Sequence, residues 1–83
     1  MTMMTTIEVI YGTAWCGDCI RSKKFLDENK IPYKWIDIDF DEEAKEKAAE
    51  LNGGESKVPT IVFSDGTILI EPSNEELGKK LGI

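Results

Sequence analysis

At 83 residues the chain supports one domain, since independent domains run to about 50–250 residues. Its 41% hydrophobic and 31% charged residues exclude an intrinsically disordered chain. A formal charge of −6, with no basic stretch denser than Arg21, Lys23 and Lys24, excludes nucleic acid as a partner, and no apolar run nears the roughly 20 residues of a membrane span.

The opening residues Met1 to Thr6 have neither a basic region nor a long apolar stretch. They read as a frayed end rather than a signal peptide, and the chain as cytoplasmic. Ile7-Glu8-Val9-Ile10-Tyr11 is short, β-branched and partly alternating, a strand that ends at Gly12. A helix follows over about 17–29, with Ile20, Phe25 and Leu26 expected on its apolar side, and Pro32 prevents its continuation. Tyr33 to Ile38 is aromatic and β-branched and reads as a second strand. Asp41 to Leu51 is a strong helix with acids early, candidate pairs Asp41–Lys45 and Glu43–Lys47, and an inner face of Ala44, Ala48 and Leu51. Asn52-Gly53-Gly54 ends it. Two strands, Thr60 to Ser64 and Thr67 to Ile70, flank the hairpin signal Asp65-Gly66. The last helix starts at the capping box Ser73-Asn74-Glu75-Glu76.

The order β-α-β-α-β-β-α predicts an α/β domain over 1–83. Its first β-α-β unit should make a parallel pair and its hairpin an antiparallel edge. The four-stranded mixed sheet should carry helices on both faces, because hardly any strand has a polar side to show water.

The absence of histidine removes Ser-His-Asp and Cys-His catalysis and imidazole metal sites. Two cysteines cannot complete a four-ligand zinc site, so no metal is expected within one chain. Cys16-Gly17-Asp18-Cys19 instead falls where the first strand turns into the first helix. Two residues three apart at a helix start share a face and suit the Cα spacing of a disulfide. Cys16, beside the unpaired N–H groups and positive end of the helix, suits the attacking nucleophile. Cys19, one turn inside, suits the resolving role. Two inert core cysteines are the plain alternative, and the strand-to-helix junction argues for redox chemistry.

Asp18 opposes a thiolate at Cys16 and repels an anionic thiol, while Arg21 offsets part of that charge; both modulate the pair. Trp15 offers an aromatic rim. Lys57-Val58-Pro59-Thr60 reads either as a proline starting an edge strand or as a cis-proline loop facing the cysteines. Ser73 and Asn74 cap the last helix, and their N–H groups could also hold a ligand carboxylate.

Taken together, Trp15 to Cys19, Asn52-Gly53-Gly54, Val58-Pro59-Thr60, Phe63 to Gly66 and Pro72-Ser73 make the chain resemble a glutaredoxin of thioredoxin-like fold, and within that group the mycoredoxins. The resemblance runs from about Ile7 to Leu81. It implies a thiol–disulfide oxidoreductase with a cis bond at Pro59 and a nucleophile at Cys16. It also implies a low-molecular-weight thiol co-substrate, of glutathione or mycothiol type, lying along Val58. Thr13, Trp15, Lys57, Val58, Pro59, Ser73 and Asn74 form the expected thiol- or substrate-binding set. Many glutaredoxins have Gly-Gly-Cys-Asp where this chain has Glu71 to Asn74, so an aspartate that grips glutathione is missing. Mycoredoxin-like proteins commonly carry an aromatic residue where Asp18 stands.

The implied partners are oxidised or thiolated client proteins, with a small thiol or a flavoprotein reductase as electron donor to a monomer. Two other readings stay open. One is a redoxin reduced by a thioredoxin-reductase-type flavoenzyme and serving an enzyme such as ribonucleotide reductase. The other is a dimeric iron–sulfur cluster carrier.

Overall fold

The computed structural model describes residues 5–55 and 57–83. Seven elements follow in the expected order: β1 (Ile7–Gly12), α1 (Gly17–Glu28), β2 (Trp35–Asp37), α2 (Glu42–Leu51), β3 (Thr60–Phe63), β4 (Ile68–Ile70) and α3 (Asn74–Leu81). They build one four-stranded sheet in the order β2-β1-β3-β4. The β1–β2 pair is parallel, and β1–β3 and β3–β4 are antiparallel. The β3–β4 hairpin closes because Gly66 takes φ 87°, open to glycine and strained for other residues.

Strand alternation sends side chains to two cores. Ile10, Ile61 and Phe63 face one side, where Leu26 of α1 and Leu77 and Leu81 of α3 cover them. Tyr11 faces the other, against Ile38 and the alanines Ala44 and Ala48 of α2. Ile7 joins the same core as Ile10 because the β1–β3 register shifts between Ile7 and Val9, which resets the alternation. The reading of residues 1–6 as frayed falls outside the described residues for 1–4. Thr6, however, is tied to Ser64, the residue after β3, its N–H donating to Ser64 Oγ (3.1 Å) and its carbonyl accepting from Ser64 N–H (2.8 Å).

Three local expectations change. Ile20 is 56% exposed, because the inward stripe of α1 runs through Cys19, Ser22 and Leu26 and turns Ile20 to solvent. The second strand is shorter than Tyr33–Ile38, since the Tyr33 hydroxyl donates to Asp27 Oδ1 (2.9 Å) and draws that residue towards the end of α1. Asp41 does not pair with Lys45, nor Glu43 with Lys47. Asp41 lies just outside α2 as its N-cap, with Oδ1 accepting from Ala44 N–H at 3.0 Å.

Candidate active site

The site forms where β1 feeds α1. Cys16 is the N-cap of α1, with extended backbone (φ −81°, ψ 120°), so its side chain meets the helix's unpaired amides. Its Sγ accepts from Cys19 N–H at 3.4 Å, and its thiol donates to the Val58 carbonyl at 3.6 Å. The sulfur thus sits at the amide end of α1, against Val58. Cys16 is half-buried and Cys19 fully buried, both as free thiols. Burial pushes the Cys19 thiol up to about 12, and the thiol of Cys16 adds to the rise, while the Thr13 backbone N–H facing the sulfur works against it.

Thr13 therefore stands beneath Cys19 rather than along an open cleft. It is buried, and its Oγ1 has no hydrogen-bond partner among the described residues. Trp15 is 72% exposed at the rim, held by an Nε1–H···Oδ2 bond of 2.7 Å to Asp39, whose neighbour Phe40 is 88% exposed.

The Val58–Pro59 bond is cis, and Pro59 is buried across from Cys16. The loop is braced by Thr60, whose hydroxyl donates to the Lys57 carbonyl (2.6 Å) and accepts from Asn52 Nδ2 (2.8 Å). The Lys57 ammonium pairs with Glu55 at 3.4 Å.

Arg21 is the second brace. It donates to Asn74 Oδ1 and to the Pro72 carbonyl, both at 3.0 Å, and its Nη2 reaches Asp18 Oδ1 at 3.3 Å. The expected Asp18–Arg21 offset is thus a formed ion pair that also ties α1 to the start of α3. Of the two amides expected to be able to hold a ligand carboxylate, at Ser73 and Asn74, the Ser73 N–H is engaged within the chain. That N–H donates to Glu76 Oε1 (3.2 Å) while Ser73 Oγ accepts from Glu76 N–H (3.1 Å). The capping box thus engages the Ser73 and Glu76 amides with each other's side chains.

Gly12 was read only as a strand end. A Cβ there would sit 3.0 Å from Cys19 Sγ and 2.8 Å from Trp35 Cζ3, so the missing side chain is what admits both groups. Together with Trp35 and Asp39, it lies at the site without a local sequence signal, whereas Asn52 and Thr60 were marked by their motifs but not as braces of the loop. A groove of about 400 Å³ on the α2 side, lined by residues such as Tyr11, Lys34, Lys47 and Val62, includes neither cysteine.

Residues 9–68 match the family model described as Glutaredoxin. A Mycobacterium tuberculosis protein with a provisional glutaredoxin name is 43% identical over 79 residues, covering 95% of this chain and 94% of that protein. Mycoredoxin 1 of Corynebacterium glutamicum is 42% identical over 72 residues, covering 87% and 89% of the two chains. Among solved structures, the thioredoxin-like protein BC3987 superposes with a TM-score of 0.77 at 29% identity, covering 92% of this chain and 100% of that one. The glutaredoxin of Archaeoglobus fulgidus gives 0.70 at 26% identity, over 92% and 85%. With a free Cys-x-x-Cys pair at the head of α1 and this extent of likeness, the chain belongs to the glutaredoxin family and is a thiol–disulfide oxidoreductase of thioredoxin-like fold.

Proposed function

We propose that the protein reduces mixed disulfides between proteins and a low-molecular-weight thiol, as a cytoplasmic monomer. Cys16 is the nucleophile and Cys19 the resolving thiol. The observation that carries this reading is the asymmetry of the pair: Cys16 Sγ sits half-exposed on the Cys19 amide and against Val58, while Cys19 is fully buried. The Cys16 thiolate attacks the small-thiol sulfur of the mixed disulfide. The protein thiolate leaves, and a disulfide forms between Cys16 and the small thiol. A second small thiol then attacks that bond, or Cys19 does so, giving Cys16–Cys19 disulfide and free thiolate. Two further thiol equivalents restore the dithiol.

The charges around the cleft favour a mycothiol-type, uncharged thiol over glutathione. Arg21 is held by Asp18 and Asn74, Lys57 by Glu55, and the Ser73 N–H by Glu76, so these three groups already have a carboxylate or an equivalent acceptor. Trp15, Val58 and Pro59 remain as the contact surface for the thiol and client, and Thr13 supports the pair from below.

Two measurements test this. Cys19→Ser should retain turnover of thiolated protein, and Cys16→Ser should lose it. Incubating the oxidised protein with mycothiol or glutathione, followed by mass spectrometry, should show the preferred adduct with mycothiol at Cys16. Wild-type turnover by Cys16→Ser, or an adduct confined to Cys19, refutes the assignment.

A further inference from the structure

Cys19 must travel to the sulfur of Cys16, yet its surroundings leave it little freedom. Gly12 ends β1 with its backbone flush against the Cys19 sulfur, and the Trp35 indole lies against the same point from β2. The sulfur and the ring edge are therefore within about 6 Å of each other, the range in which a sulfur rests favourably against an aromatic edge. The indole is itself held: it packs on the core of Ile10 and Leu26, and the Lys23 ammonium of α1 stands 4.3 Å from its ring centre. Gly12 and Trp35 are paired to neighbouring strands of one ladder, so this wall belongs to the sheet, while the cysteines ride on the helix.

We propose that Gly12 and Trp35 are positioning residues that set the approach of Cys19 to Cys16, and so decide between two fates of a thiol adduct on Cys16. In one, Cys19 displaces the small thiol and closes the Cys16–Cys19 disulfide. In the other, a second small thiol from solution displaces it. The inference rests on the mixed-disulfide reading above. Geometry has unusual weight at this step because a buried thiol of high proton affinity offers little thiolate at neutral pH, so its rate depends on how well the two sulfurs are placed. In the balanced step, the S–S bond to the small thiol breaks, the Cys16–Cys19 bond forms, and the Cys19 proton leaves with the departing thiolate.

The test loads Cys16 with 2-mercaptoethanol from 2-hydroxyethyl disulfide, then follows adduct and internal disulfide by acid quenching and mass spectrometry. An added methyl at Gly12 forces the ring and the sulfur outward. In Gly12→Ala the ratio of internal resolution to adduct formation should drop at least tenfold, towards the Cys19→Ser limit. Trp35→Leu, which removes the ring beside the sulfur and leaves Gly12 in place, should lower the same ratio at least threefold. A ratio within twofold of wild type in Gly12→Ala or in Trp35→Leu overturns the proposal. Should Gly12→Ala not fold, Trp35→Leu in a Cys16→Ser background decides. Iodoacetamide should label Cys19 at least tenfold faster than with Trp35 present, and an unchanged rate overturns the wall. Failure of the wild type to form any adduct would instead refute the functional reading, and this inference with it.

Discussion

Replacing Cys19 by alanine should change how stability responds to alkali. In the folded, reduced protein burial holds that thiol proton up to about 12, against an ordinary value of 9.0. Below the ordinary value both folded and unfolded chains keep the proton, and the group contributes nothing to pH dependence. Above it the unfolded chain releases the proton while the folded chain retains it, so the unfolded state binds fewer protons and stability falls as pH rises. The slope approaches about 1.36 kcal/mol per pH unit, which gives a loss of about 2–3 kcal/mol by pH 11. That is a large share of the roughly 4–12 kcal/mol available to a domain of this length. The assay is urea unfolding of reduced wild type and Cys19→Ala at several pH values from about 8 to 11 and fixed ionic strength. Tyr11 and Tyr33, both also raised by burial, are present in the two chains and cancel in the difference. The wild type should lose about 2–3 kcal/mol relative to the variant across that range. Oxidised wild type, with no Cys19 proton to lose, should follow the variant. Parallel stability curves for all three would show that burial does not hold the proton, and the reasoning would fail.

Arg21→Met should loosen the start of α3 from α1 by removing its bonds to Asn74 and Pro72 and leaving Asp18 unpaired. Because the guanidinium is partly exposed, urea unfolding should register only about 1–2 kcal/mol, and turnover with an anionic thiol should fall more than with a neutral one. Thr60→Val keeps the shape but removes the hydroxyl's bonds to the Lys57 carbonyl and the Asn52 amide (2.6 and 2.8 Å), leaving those two groups only their 3.5 Å bond to each other. A loss of about 1–3 kcal/mol in urea unfolding is expected. Steady-state kinetics should show the KM for the small thiol rising more than kcat falls, because the braced loop carries Val58 and Pro59.

The amino-acid sequence alone determined every element and its type, the cap at Ser73 and the hairpin at Asp65-Gly66. These depend on neighbours a few residues apart: strand alternation, helix periodicity, and glycine or capping residues at the ends. The Cys-x-x-Cys pair was equally legible, since it needs only two cysteines three residues apart at a strand-to-helix junction. Tertiary structure decided what surrounds it. Arg21 meets Asn74 across 53 positions, and the Trp35 ring reaches Gly12 only because β1 and β2 pair in parallel with Ile10 opposite Trp35. Nothing local marks either contact, because each depends on how helices dock and strands register. Ile20 shows the same limit in reverse. Its apolar side chain suggested the core, but α1 lies on the sheet through Cys19, Ser22 and Leu26, and the sheet, not the helix sequence, selected that face.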